Sequence, residues 1–284
     1  MEKLMLAVIG DPIAHTLSPL IQNTIAEKLG LPCSYTAHHV RLPELPDFVD
    51  FARRELQGFN ITIPHKKNIL PYLSGLDPYA EACGAVNTVR VQDGKLYGYN
   101  TDGDGLRAAM AVNGIYMEGK NIVMLGAGGA ASSIFRKAQQ VGAGHITVIC
   151  RLPEEAAAFS EPGVDIDYFD VETVSDTLKK HMGEADVLIN ATPLGMDGID
   201  SRFTDFSFLD ETKAAVVDIV YKPSVTALVA ESRKRGLTAM NGLGMLIYQA
   251  VYAFSIFSGE TFDFDEMAAH VTRVVSDVIY HKEG

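Results

Sequence analysis

Lys66 closes the stretch Gly58-Phe-Asn-Ile-Thr-Ile-Pro-His-Lys66, and an amine held at the end of a strand can move a proton at a substrate oxygen. Asn60 and Thr62 recur at strand spacing and predict one polar face, with Ile61 and Ile63 on the opposite, apolar face. Such a strand suits the grip of a hydroxylated small molecule. A half-buried surface strand followed by the solvated basic run His65-Lys66-Lys67 would read the same way. Asp102, in Tyr99-Asn100-Thr101-Asp102-Gly103, is the natural partner of the lysine, and it would serve equally as the N-cap of the helix after it. Thr16 and Ser18 place two hydroxyls beside a helix start at Pro19, which suits a carboxylate, while Ser18 alone also reads as an N-cap. Asn87, in Gly84-Ala85-Val86-Asn87-Thr88, fits a turn. His15 and His65 read as structural or solvated, and no cluster of histidines and carboxylates predicts a metal site.

A second chemistry-bearing stretch lies further along. Ile122 to Leu125 is an apolar strand, followed by Gly126-Ala127-Gly128-Gly129-Ala130-Ala131 and a helix opening at Ser132. In this Gly-x-Gly-x-x-Ala pattern Gly126 permits a tight turn, Gly128 lets backbone approach a pyrophosphate, and Ala131 lets helix and strand pack closely. The helix N-terminus then faces the negative charge. About 20 residues on, where an acid commonly holds the ribose hydroxyls, stands Cys150-Arg151. An arginine there suits a 2′-phosphate and points to NADP, while Glu154 and Glu155 leave NAD open.

The elements needed to hold these groups are legible as alternating short apolar runs and longer helical patterns. Strands are predicted at Leu4 to Ile9, Phe59 to Ile63, Asn121 to Leu125, Ile146 to Cys150, Val187 to Asn190 and Ala215 to Ile219. Helices are predicted at Pro19 to Leu29, Leu106 to Val112, Met245 to Phe257 and Phe264 to Ile279. This alternation implies βαβ units and a doubly wound, mostly parallel sheet. The 284 residues, 47% of them hydrophobic, favour two domains, and a net charge of −12 argues against a nucleic-acid partner. Three cysteines without metal-ligand spacing fit a reducing, cytoplasmic setting. Leu4 to Ile9 reads as a buried first strand and not a signal peptide, and Leu243 to Phe257 is too short and too interrupted to span a membrane.

Taken together, these segments resemble the shikimate dehydrogenase family over essentially the whole chain. The resemblance rests on Gly10-Asp11-Pro12-Ile13-Ala14-His15, Ser18-Pro19, Gly58 to Lys66, Gly84 to Thr88, Asn100 to Gly103, Gly126 to Ala131, Asn190 to Met196, Asp218 to Pro223 and Gly242 to Gln249. It implies a two-domain α/β fold: a substrate domain at 1–102 joined by C-terminal helices at 241–284, and a Rossmann-type, doubly wound parallel nucleotide domain at 103–240. It also implies reversible, NADP-linked reduction of 3-dehydroshikimate to shikimate in aromatic biosynthesis, by a monomer or homodimer. By position, Lys66 and Asp102 would be catalytic. Thr16, Ser18, Asn60, Thr62, Asn87, Tyr221 and Gln249 would surround the substrate. Gly126, Ala127, Gly128, Gly129, Ala130, Ala131, Arg151, Thr192, Ile219 and Gly242 would meet the cofactor.

The chain departs from the family pattern in places. Thr16 stands where serine is usual, Gln22 where histidine is usual, and Phe257 where tryptophan is frequent; Cys150-Arg151-Leu152 replaces Asn-Arg-Thr, and a second phosphate-clamping arginine is absent. These differences leave open an enzyme acting on quinate or a modified shikimate, an NAD preference, or a nucleotide-binding sensor that has lost catalysis. Methylenetetrahydrofolate dehydrogenases share the architecture, but the hydroxyl-rich Thr16 to Ser18 segment is not expected of them.

Overall fold

In a computed structural model of the chain, residues 3–14, 16–196 and 203–280 are described. The chain divides into two units, Met1–Gly105 with Leu246–Gly284, and Leu106–Met245.

The first unit is built on a mixed six-stranded sheet. Its strands are β1 (Leu4–Gly10), β2 (Cys33–His39), β3 (Gly58–Ile61), β4 (Gly75–Leu76), β5 (Thr88–Gln92) and β6 (Lys95–Tyr99), in the order β2-β1-β3-β5-β6-β4. β1 runs parallel to both β2 and β3, whereas β5 is antiparallel to β3 and β6. A central position explains the sequence of β1: Leu6 to Ile9 are buried on both faces, so the strand is continuously apolar and does not alternate. The helices are α1 (Ser18–Lys28), α2 (Leu45–Glu55), α3 (His65–Asn68), α4 (Pro78–Cys83) and the start of α5 (Asp102–Val112). α2 carries Leu45, Phe48, Val49 and Ala52 at helical spacing, and this stripe packs with Ala7, Ile9, Phe59 and Ile61 in one core.

Two expectations for β3 change. Every residue of the strand is buried, so it is a central strand and not a surface one. Ile63, predicted to face the core with Ile61, is exposed. The Thr62 amide still joins the ladder by donating to Ile9 O, but Thr62 O then accepts from the His65 amide at 3.0 Å, and this turn carries Ile63 outward.

The second unit is a six-stranded, wholly parallel sheet. Its strands are β7 (Asn121–Leu125), β8 (His145–Cys150), β9 (Val164–Tyr168), β10 (Val187–Asn190), β11 (Ala215–Asp218) and β12 (Ala239–Met240), ordered β12-β11-β10-β7-β8-β9. Read from the other edge, the six strands run 3-2-1-4-5-6, the doubly wound dinucleotide-binding order, which reverses between β7 and β10. Helices α6 (Gly129–Gln140), α7 (Pro153–Ala156), α8 (Val174–His181) and α9 (Ala227–Lys234) accompany it. α6 opens at Gly129, three residues before the predicted Ser132.

The last helices are α10 (Leu243–Ser258) and α11 (Phe264–Tyr280). From Leu246 onward they belong to the first unit. α11 packs on α1, with Lys28 and Glu266 paired at 3.5 Å, and Phe257 of α10 lies so close over Gly58 that a Cβ there would come within 2.4 Å of its ring. No helix among the described residues is long and apolar enough to cross a membrane.

Candidate active site

The glycine-poor end of β3 and the start of α5 bring Lys66 and Asp102 together. Lys66 lies in the first turn of α3, directly after the turn that ends β3, and its Nζ donates to Asp102 Oδ2 at 2.5 Å. The two side chains are 17% and 6% exposed. Asp102 is the first residue of α5, and its own amide is met by Asn100 Oδ1 at 3.0 Å. The N-cap reading of Asp102 therefore gives way: Asp102 lies inside the helix, Asn100 meets its amide, and its carboxylate faces Lys66 and Asn87.

Asn87 Nδ2 donates to Asp102 Oδ1 at 2.8 Å, to Thr101 Oγ1 at 2.9 Å and, more weakly, to Gln249 Oε1 at 3.3 Å. Its Oδ1 accepts from the Thr101 amide and from Thr88 Oγ1, both at 2.9 Å. Asn87 is thus held in one orientation and is no simple turn residue. Gln249 reaches this cluster because α10 passes close to α5: a Cβ on Gly105 would stand 2.7 Å from the Gln249 amide nitrogen. Thr101 Oγ1 closes the join by donating to Gln249 O at 2.9 Å. Thr101, Thr88 and Tyr35 were not among the predicted site residues. Thr101 lies inside a motif already singled out, whereas nothing local marks Tyr35.

Asn60 occupies a deeper layer than the substrate contact expected of it. Its two amide hydrogens go to Asn87 O at 3.1 Å and Thr88 Oγ1 at 3.0 Å, and its Oδ1 accepts from Tyr35 OH at 2.7 Å and Gln22 Nε2 at 3.4 Å. Burial pushes the Tyr35 phenol well above its ordinary range, so it remains a donor. Thr62 is half-buried, with its methyl turned toward Gly10.

Thr16 and Ser18 lie together, with Thr16 Oγ1 donating to Ser18 Oγ at 3.1 Å and accepting from the Ser18 amide at 3.2 Å. Ser18 is accordingly the first residue of α1 and not its cap; it is Thr16 that meets the helix-start amide. This leaves the Ser18 hydroxyl hydrogen to donate elsewhere. His15 lies outside the described residues. His65 is fully buried, with Nε2 donating to Val40 O at 2.5 Å.

In the second unit the glycine turn has the geometry a dinucleotide needs. Gly126 has φ +109°, and a Cβ there would stand 2.8 Å from the Thr192 methyl, so only glycine fits. Gly128 precedes α6 without any side-chain cap, and a Cβ on it would meet nothing within 4 Å. The α6 N-terminus is therefore open for its amides to meet an anion. Ala127, Gly129 and Ala130 line the same turn, half-buried, and Ala131 is buried where α6 meets the sheet. Gly242 passes Ile219 so closely that a Cβ would fall 1.9 Å from Ile219 O, and its amide donates to Val220 O at 3.0 Å. Arg151 is exposed and makes no ion pair among the described residues. Tyr221 belongs to this unit, half-buried, with its phenol raised by burial.

Residues 8–89 match the shikimate dehydrogenase substrate binding domain and residues 242–272 the shikimate 5′-dehydrogenase C-terminal domain, while residues 122–240 match the saccharopine dehydrogenase NADP binding domain. A shikimate dehydrogenase (NADP(+)) of Streptococcus pneumoniae is 36% identical over 275 residues, covering 94% of this chain and 95% of the relative. The chain belongs to the shikimate dehydrogenase family. Among solved structures, shikimate 5-dehydrogenase from Listeria monocytogenes in complex with shikimate and NAD shares 34% identity at a TM-score of 0.82, covering 93% of this chain and 95% of that one. The Thermus thermophilus enzyme in complex with NADP(H) and shikimate shares 32% identity at 0.79, covering 95% and 99%.

Within this shikimate dehydrogenase family member, the unusual Gln22 is wholly buried. Its Nε2 donates to Ala250 O at 3.1 Å as well as to Asn60, so it ties α1 to β3 and α10. The unusual Cys150 is also buried, its thiol raised by burial and by Glu155, and its Sγ turned to Leu152 O. Neither substitution removes a group from the Lys66, Asp102 and Asn87 cluster.

Proposed function

We propose that this protein is an NADP-dependent shikimate dehydrogenase, catalysing the reversible reduction of 3-dehydroshikimate to shikimate in aromatic biosynthesis. The observation that carries the catalytic part is the Lys66 to Asp102 pair, with Asn87 on the second carboxylate oxygen. The relatives named above, one of them seen with shikimate and NADP(H), support the substrate and the cofactor.

The residues divide the work. NADPH, when bound, supplies the hydride. Lys66 has one ammonium hydrogen on Asp102 and can donate another to the carbonyl oxygen, becoming neutral as the alcohol forms. Asp102, held in one orientation by Asn87, receives a hydrogen of the Lys66 ammonium and can accept from an adjacent substrate hydroxyl. The Ser18 hydroxyl, with Thr16 behind it, would receive the substrate carboxylate. Asn87, Gln249, Thr62 and Tyr221 would contact the ring hydroxyls, while Asn60 holds Asn87 from beneath. The glycine turn and the α6 N-terminus would take the pyrophosphate, Thr192, Ile219 and Gly242 the rest of the nucleotide, and Arg151 the 2′-phosphate. A cytoplasmic enzyme, monomeric or dimeric, is the expected setting.

Initial rates over a grid of shikimate and quinate against NADP and NAD test the proposal. The expected result is the highest kcat/KM with shikimate and NADP; comparable turnover of quinate, or a clear NAD preference, would overturn the corresponding part.

A further inference from the structure

We infer that Asp218 is a positioning residue of the nucleotide site, fixing Thr192 and the segment after β11 through a buried carboxylate held by neutral donors. The inference rests on the proposal above that the glycine turn of the second unit takes NADP.

Asp218 ends β11 and is fully buried. Its Oδ1 accepts from Asn190 Nδ2 and from the Val220 amide, both at 3.0 Å, and its Oδ2 accepts from Thr226 Oγ1 at 2.6 Å. All three donors are neutral, and no ion pair reaches the carboxylate among the described residues. A buried charge without a counter-ion is costly, and burial pushes this carboxyl up to about 6 against the opposing pull of its hydrogen bonds. An apolar residue would avoid the cost. What the carboxylate provides is acceptor capacity on both oxygens at once.

The consequence runs through Asn190. Its Nδ2 faces Asp218 Oδ1 and Leu194 O, both acceptors, so its amide can be placed only one way round. Asn190 Oδ1 is then turned toward Thr192, accepting from its amide at 3.1 Å and its hydroxyl at 2.6 Å. The methyl of that threonine lies against Gly126, the first glycine of the nucleotide turn. The same Asp218 Oδ1 holds the Val220 amide, next to Ile219 and the close pass of Gly242. Thr226, the third donor, is the N-cap of α9, so the same carboxylate also ties that helix start to the strand end.

Asp218→Asn keeps the shape but leaves one acceptor oxygen for the three donors Asn190, Val220 and Thr226, so the donor at the other position loses its acceptor and the hold on the segment loosens. The test is fluorescence titration of NADPH into the wild-type and variant proteins, beside steady-state kinetics. The expected result is an NADPH Kd raised about tenfold, the size of one hydrogen bond to a charged group. KM for NADP should rise with it, while kcat at saturating NADP and KM for shikimate stay within about threefold. If Asp218→Asn does not fold, Thr226→Val, which removes one donor, should weaken NADPH at least about threefold, with shikimate KM unchanged. A folded variant that binds NADPH as tightly as wild type overturns the assignment of Asp218 alone. A wild-type protein that binds neither NADPH nor NADH overturns the reading of the site itself.

Discussion

Replacing Lys66 separates two jobs that the structure gives to one side chain. Lys66→Met keeps most of the volume and removes the ammonium, leaving the Asp102 carboxylate with Asn87 as its remaining donor. Breaking a fully buried ion pair by deleting one partner costs about 3–5 kcal/mol. Water still reaches Lys66, whose side chain is 17% exposed, so the loss of stability here should be about 2–3 kcal/mol. If Lys66 also delivers the proton, kcat should fall by about 10²–10⁴, or about 3–5 kcal/mol on the barrier. KM for shikimate should move only a few-fold, because Thr16, Ser18, Asn87 and Gln249 are untouched. Lys66→Arg then separates the two effects: a guanidinium can satisfy Asp102, but it does not give up its proton. Stability should return to within about 1 kcal/mol of wild type, while kcat stays at least about a hundredfold low. Absorbance of the NADPH formed from shikimate gives the rates, and urea unfolding gives the stabilities. Lys66→Arg with kcat within tenfold of wild type would refute proton transfer by Lys66, and Lys66→Met with undiminished stability would refute the account of the pair.

Gly105→Ala should lower stability by at least about 1–3 kcal/mol and raise KM for shikimate more than it lowers kcat, because the new methyl meets the Gln249 backbone at 2.7 Å and forces α10 away from Asn87; unchanged unfolding would count against that close approach. Arg151→Ala should raise KM for NADP about tenfold and leave that for NAD within twofold, by loss of a charged contact to the 2′-phosphate; equal effects on both cofactors would remove Arg151 from that role. For Asp218 the pH dependence has a definite sign. Burial pushes the folded carboxyl up to about 6 from an ordinary 3.8, so between these values the folded state holds a proton that the unfolded state has released. Stability therefore falls as pH rises through this window, by up to about 3 kcal/mol from this group. Subtracting Asp218→Asn unfolding curves from those of wild type between pH 4 and 7 should isolate that slope, and a flat difference would refute it.

Long, buried elements were legible because their residues have one dominant requirement. Asn121 to Leu125 and Val187 to Asn190 are central strands of a parallel sheet, apolar on both faces, and their predicted limits coincide with the observed ones. Edge and antiparallel elements were not found. β2 buries only Tyr35, so Cys33–His39 has no apolar run to read. The β5–β6 hairpin does carry a local signal in Asp93-Gly94, both with positive φ, between two strands. At the site, Lys66, Asp102 and Asn87 could be named from their motifs, but their order in depth could not. Asn60 and Thr62 look equivalent at strand spacing. The fold spends both amide hydrogens of Asn60 on Asn87 and Thr88, because β5 lies alongside β3 at that register, and this pairing across the sheet has no trace in the local sequence.

The same limit conceals a device that is present in each unit. A carboxylate at the end of a strand or the start of a helix takes the Nδ2 of an asparagine, and the asparagine Oδ1 then takes the amide of a threonine: Asp102, Asn87 and Thr101 in the first unit, Asp218, Asn190 and Thr192 in the second. The partners lie 15 and 28 residues apart in the chain, beyond any local pattern. An asparagine alone can sit either way round, since its two ends differ little in shape. A carboxylate removes that freedom because it can only accept. The two copies differ in how the charge is supported. Asp102 has Lys66, so its charge is available for chemistry, whereas Asp218 has only neutral donors among the described residues and can do no more than hold. On this argument, deleting Asp102 should damage turnover and deleting Asp218 should damage nucleotide affinity, although both remove the same kind of hydrogen bond to the same kind of residue.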